Sequence, residues 1–106
     1  MKLIYQDKSI SLVDCNTFFK RFFGFMGKAN IDHALLFNHC SSIHTFFMRE
    51  SIDVILLDKD NTILYYYKNL QKNKVILPKK NVVKTIELPT NYFNFKPLEK
   101  IDISND

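Results

Sequence analysis

Residues 52–67, Ile52-Asp53-Val54-Ile55-Leu56-Leu57-Asp58-Lys59-Asp60-Asn61-Thr62-Ile63-Leu64-Tyr65-Tyr66-Tyr67, decide how this chain folds. Ile52–Leu57 and Thr62–Tyr67 are rich in β-branched and aromatic side chains and read as strands. Asp58-Lys59-Asp60-Asn61 joins them as a hairpin turn, with Asp and Asn in the left-handed positions that glycine usually fills.

Working outward, Ala34–Phe37 and Ile43–Met48 read as further strands. Leu3-Ile4-Tyr5 and Ser9–Val13 flank the polar turn Gln6-Asp7-Lys8 as an N-terminal hairpin, the second arm alternating with the period of a half-buried strand. Asn16 or Thr17 offers a helix cap, and Phe18, Phe19, Phe22, Phe23 and Met26 follow at helical spacing with Lys20 and Arg21 opposite. Downstream, Val82–Leu88 reads as a strand ended by Pro89, Thr90–Phe95 as a helical turn, and Leu98–Ile103 as a closing strand. The expected class is α+β: β-rich, with mostly antiparallel strands in a small barrel-like or strongly curved sheet and one or two short helices. No repeat or linker interrupts the chain, so residues 1–106 read as a single domain.

Composition agrees with a soluble folded domain: 106 residues, 46% hydrophobic, 25% charged, formal net charge +4. No apolar run approaches the roughly 18 to 20 residues that span a bilayer. The start, Met1 to Asp7, meets a lysine and an acid before any apolar core develops and shows no export signal, so the expected location is cytoplasmic, with Cys15 and Cys40 as thiols. Lysines supply 13 of the 15 positive charges, and from Lys68 to Lys84 there are six lysines and no acid. Any anion-attracting surface is expected there. The only 2 glycines are Gly24 and Gly27. Gly27 suits a helix end, and Gly24, costly within a helix, is expected to face a closely packed element.

Asn16-Thr17 through Arg21, Gly24, Met26, then Leu35-Leu36-Phe37, Ser42-Ile43-His44-Thr45-Phe46-Phe47-Met48-Arg49, Ile52–Asp60 and Ile86-Glu87-Leu88-Pro89 together resemble the family catalogued as domain of unknown function 192. The resemblance covers nearly the whole chain. It implies a compact β-rich domain with no established general activity. The sequence departs from that pattern in three places. Glu50-Ser51 stands where an aromatic residue and a proline are usual, and Thr90-Asn91 and Pro97-Leu98-Glu99-Lys100 stand where glycines are usual.

Several constellations invite chemistry. His33, His39, Cys40 and His44 are zinc-type ligands, but their spacing fits no paired-ligand pattern. Cys40 and His44 in extended chain lie about 13 Å apart, too far for a nucleophile and its base. Asp58, Asp60 and Asn61 resemble the opening of a calcium loop, yet Ile63 and Asn69 replace its glycine and glutamate, which leaves a hairpin turn. Tyr65-Tyr66-Tyr67 beside the lysines resembles a single-strand stacking platform, with Tyr65 and Tyr67 on one face and Tyr66 on the other.

Arg21 and Arg49 stand out in an otherwise all-lysine supply, because a guanidinium fork binds carboxylates bidentately. One expectation pairs Arg21 or Arg49 with Asp53 inside the protein. The other lines a polar cleft with Arg21, His44, Thr45, Arg49 and Asp53 for an anionic or hydroxyl-bearing ligand. Strand alternation puts His44, Phe46 and Met48 on one face and Thr45, Phe47 and Arg49 on the other. The leading functional reading is a small binding or interaction domain for a small molecule or a protein, without cofactor or metal. The alternatives are a hydrolase or transferase using a cleft around His44 and Asp53, and nucleic-acid binding through residues 68–84.

Overall fold

The computed structural model describes residues 1–15, 31–39, 43–45 and 48–105. Its strands are β1 (Lys2–Tyr5), β2 (Lys8–Asp14), β3 (Ala34–Asn38), β4 (Ile43–His44), β5 (Ile52–Leu57), β6 (Ile63–Leu70), β7 (Val75–Ile76), β8 (Lys84–Pro89) and β9 (Asp102–Ser104). Seven form one sheet in the order β6-β5-β8-β3-β2-β1-β9, and β4 pairs with β7 as a separate ribbon.

The β5–β6 hairpin forms as its sequence predicts, except that in its turn Asn61 alone, and no aspartate, takes the left-handed region. Asp58 Oδ1 accepts the N–H groups of Asp60 and Thr62, each at 2.9 Å, and Asn61 sits at φ 63. The side chain thus replaces the backbone contacts that a glycine turn would leave to water. These bonds, the one from Thr62 foremost, hold the Asp58 carboxyl below its ordinary pKa. Two register shifts, between Ile52 and Val54 and between Leu56 and Leu57, bend β6 against β5.

Both faces of β5 are buried. Ile55 and Leu57 join Leu3, Tyr5, Ile10, Leu12, Leu36, Ile63, Ile86, Leu88, Phe93 and Phe95 in one cluster. Leu3 of β1, the strand next to one edge, and Ile63 of β6, the opposite edge strand, share this cluster, so the sheet curls around this core. The curl is pinned where residues 98–101 meet 61–63: Thr62 bridges Lys100, Ile63 N donates to Glu99 O and Leu98 N to Ile63 O, both at 2.8 Å. Ile52, Val54 and Leu56 face the other way, with Leu35, Phe37, Met48, Ile76 and Val82.

Because β6 and β8 both run antiparallel to β5 and flank it, they are parallel to each other. Residues 71–83 therefore cross from one end of the sheet to the other, arriving where Val83 N donates to Leu57 O at 2.9 Å. This crossover is most of the lysine-rich stretch. It buries Ile76 and Val82 against the second face of β5 and leaves Lys72, Lys74, Val75, Leu77 and Lys80 exposed.

The expected α+β class gives way to an all-β one. Among the described residues every regular element is a strand. The helical turn expected over Thr90–Phe95 does not form: Thr90 and Asn91 make a turn and 93–95 are irregular, because Asn91 at φ 62 leaves the right-handed helical region. The expected Phe-rich helix, with Gly24 and Gly27, lies outside the described residues. The expected strand Ile43–Met48 stops at His44, where Met48 N turns back to Thr45 O at 3.4 Å, so the anticipated alternation of faces does not extend to Met48 and Arg49. The closing strand is Asp102–Ser104, residues 98–101 being used in the corner contact. Pairing is mostly antiparallel, as expected, except that β2 and β3 run parallel.

Candidate functional site

Asp53 is the one carboxylate of β5, and alternation aims it with Ile55 and Leu57 toward the first core. It is 1% exposed. Three donors converge on it: Asn69 N at 2.7 Å on Oδ1, Asn91 N at 3.1 Å on Oδ2, and the Tyr66 hydroxyl at 3.4 Å on Oδ2. The same hydroxyl lies 3.2 Å from the Phe93 carbonyl, a second acceptor for its proton. Burial, and then the charge of Asp53, push the Tyr66 phenol up to about 12. Asn69 and Asn91 both have positive φ, at 55 and 62, and that geometry turns their N–H groups inward at the ends of β6 and β8.

Above this node the ends of β5, β6 and β8 meet, because Ile52 is in register with both Leu70 and Pro89. A cleft of about 420 Å³ opens there, lined by Ile31, Glu50, Ser51, Pro89 and Thr90. Glu50 Oε1 accepts Ile31 N at 3.3 Å, and Ser51 Oγ donates to Asn69 Oδ1 at 2.6 Å. One buried anion thus ties down two stretches of the rim, through Asn69 to Ser51 and through Asn91 to Thr90. A second hollow, of about 520 Å³, lies beside Tyr5, Asp7, Lys8, Tyr92 and Phe93. There the protein's own Lys8 ammonium covers the Tyr92 ring at 4.1 Å from its centroid.

Of the residues singled out from sequence, Thr45 and Asp53 are buried, and His44 and Arg49 are exposed. Arg21 lies outside the described residues. Thr45 is 1% exposed and clamps the start of the crossover: its hydroxyl donates to Gln71 O at 2.7 Å and accepts Lys74 N at 2.8 Å. His44 is exposed and in register with Val75 on the ribbon. Arg49 is exposed and makes no ion pair with Asp53, whose partners are two backbone N–H groups and a tyrosine. Of the two arginines expected to pair with Asp53, only Arg49 is among the described residues, and the contacts of Asp53 include neither it nor His44. Among the described residues no three His, Cys, Asp or Glu side chains are placed to share a metal. His33 instead contacts Asp32 at 2.9 Å, and that bond lowers the Asp32 pKa.

Sequence reasoning missed Glu50, Ser51 and Thr90 as cleft residues, although two departures from the family pattern fall on them. It also missed Glu87. In register with Leu35 and Val54 on the second face of the sheet, Glu87 is 6% exposed, and burial pushes its carboxyl up to about 8. Tyr66 is the ring of the tyrosine triplet that packs on the first core, while Tyr65 is 41% exposed under the Lys79 ammonium, 5.5 Å from its ring centroid.

Two solved structures share this architecture. A protein of unknown function from Novosphingobium aromaticivorans superposes with a TM-score of 0.77 at 10% identity, over 96% of this chain and 82% of that one. A protein from Sinorhizobium meliloti, described as a candidate transcription regulator, superposes at 0.75 with 16% identity, over 95% and 89%. At such identities they show the fold alone. In sequence, the chain is 36% identical over 94 residues to a UPF0127 protein of Thermococcus kodakarensis, covering 83% of this chain and 59% of that protein. It is 40% identical over 80 residues to one of Pyrococcus abyssi, covering 70% and 67%. The chain thus spans 59 to 62% of the length of the Thermococcus relatives it matches. The sequence pattern of DUF192, described as "Uncharacterized ACR", matches residues 2–102, and with these relatives it establishes that the chain belongs to that family, for which no activity is assignable.

Proposed function

We propose that this chain is a single binding domain without catalytic machinery of its own, and that its working surface is the cleft between Glu50-Ser51 and Pro89-Thr90. The observation that carries the reading is the Asp53 node. A buried carboxylate that fixes Asn69 and Asn91 supplies the pre-organisation a binding rim needs, since loops ordered in advance do not lose that entropy on capture. Among the described residues the lining offers one carboxylate and two hydroxyls, from Glu50, Ser51 and Thr90. That set suits a small hydroxyl-bearing or ammonium-bearing molecule, with Asp53 as a positioning residue and Arg49 beside the rim.

Backbone amide NMR tests this with monosaccharides, amino alcohols and diamines as probes. The expected result is saturable shifts centred on Ser51, Thr90 and Asn91 with at least one probe class, weakened by Glu50→Ala. Shifts that never localise to these residues overturn the proposal.

A further inference from the structure

The crossover carries a surface the cleft does not use. Its inward side chains, Ile76 and Val82, are buried in the second core, so its outward face is held in place. Thr45 fixes one end through Gln71 O and Lys74 N, and Val83 N fixes the other on Leu57 O. On that outward face Val75 is 52% and Leu77 67% exposed. Lys72 and Lys74 precede them, and Lys79 and Lys80 follow. No acid occurs in the sequence between Asp60 and Glu87.

From this arrangement we propose that the outward face of the crossover docks on an anionic lipid bilayer, Val75 and Leu77 entering the headgroup boundary and the flanking lysines meeting lipid phosphates and carboxylates. Charge complementarity and side-chain type select this occupant. Aliphatic tips ringed by ammonium groups on apolar stems match an interface that is apolar below and negative above. A single nucleic-acid strand is matched less well, because stacking needs open aromatic faces, and the Tyr65 ring lies under Lys79. A protein partner is matched less well too, because interfaces between proteins favour arginine and are depleted in lysine. The chain would lie on the bilayer without crossing it; among the described residues no helix is long and apolar enough to cross a membrane.

Co-sedimentation of the full chain with vesicles tests this, comparing pure phosphatidylcholine with phosphatidylcholine containing about 30% phosphatidylserine. The expected result is binding to the anionic vesicles at least about tenfold tighter than to the neutral ones, weakening as salt rises from about 0.1 to about 0.5 M. Leu77→Ser is expected to weaken it about tenfold, and Lys72→Gln with Lys74→Gln by a similar factor or more. All three positions are exposed, so unchanged thermal melting certifies the variants as folded. Equal sedimentation with both vesicle types overturns the proposal. So does binding that survives Leu77→Ser intact, or a single-stranded oligonucleotide bound more tightly than the anionic vesicles, which would make the surface a nucleic-acid one.

Discussion

Asp53 accepts the backbone N–H of Asn91 at 3.1 Å across 38 positions of sequence, and by that bond a carboxylate on β5 fixes the turn that leaves β8. Its other oxygen holds Asn69 N at the end of β6. The consequence is mechanical: the two loops that carry Thr90 and contact Ser51 answer to one buried charge.

Replacing that charge is therefore costly in a predictable order. Asp53→Leu strands the inward N–H groups of Asn69 and Asn91, each unmet buried donor costing about 1 to 3 kcal/mol, while the Tyr66 hydroxyl keeps the Phe93 carbonyl. We expect a loss on the order of 3 kcal/mol or more by denaturant unfolding, and about half of that for Asp53→Asn, which keeps one accepting oxygen. Asp53→Asn also removes a charge that raises the Tyr66 phenol, so ultraviolet titration should show Tyr66 ionising below about 12. A loss under about 1 kcal/mol for Asp53→Leu would mean that the node does not hold the loops.

Glu87 gives a different pH signature. Its carboxyl titrates near 8 in the folded chain because burial disfavours the anion, against an ordinary 4.5 when unfolded. Between those values the folded state keeps a proton that the unfolded state releases. Stability from this residue is thus fully present below about 4.5, declines as pH rises toward 8, and levels off above it. Melting temperatures should fall across that window, and Glu87→Gln should flatten the slope and be the more stable form at pH 8 by a few kcal/mol. Parallel profiles for the two proteins would count against the assignment.

How far the sequence could carry these conclusions depends on what each residue's neighbours were. The β5–β6 hairpin was legible because its turn is closed locally, by Asp58 on Asp60 and Thr62. Glu87 was not, because a lone acid between Ile86 and Leu88 suggests a solvent-facing position, whereas its register partners Leu35 and Val54 lie on a face covered by Met48 and the crossover's Ile76 and Val82. Thr45 was picked as a ligand contact for its hydroxyl, but that hydroxyl is spent 26 to 29 residues away on the crossover, a partner no local pattern announces. The shortage of glycine has a visible remedy: Asn61, Asn69, Asn73, Asn81 and Asn91 all adopt positive φ. Asparagine tolerates that region better than other residues with a Cβ. At Asn91 this meets the backbone requirement where the family pattern has glycine nearby.

Thr45→Val keeps the shape of the side chain and removes its hydrogen bonds. Lys74 N and Gln71 O then lose partners at 2.8 and 2.7 Å. We expect a global loss of about 1 to 3 kcal/mol and faster cleavage after Lys72 and Lys74 by a lysine-specific protease, since the near end of the crossover is released. Unchanged cleavage alongside unchanged stability would show that the clamp is dispensable.

Leu98 presents the opposite case to the asparagines. It sits at φ 72, 75% exposed, so its side chain gives back little in packing. A residue with a Cβ pays about 1 to 2 kcal/mol to hold the left-handed region. The conformation persists because the corner contact demands it, with Leu98 N donating to Ile63 O at 2.8 Å and Glu99 O receiving Ile63 N at the same distance. Glycine adopts that geometry freely, at the expense of a looser unfolded chain worth about 0.4 to 1 kcal/mol. The balance favours Leu98→Gly by about 0.5 to 1 kcal/mol, and Leu98→Asn by less. Pro97→Ala is the comparison, since it touches the same corner without relieving a positive φ. If denaturant unfolding finds Leu98→Gly less stable than the parent, the corner does not hold Leu98 under strain, and its exposed side chain has a packing partner after all.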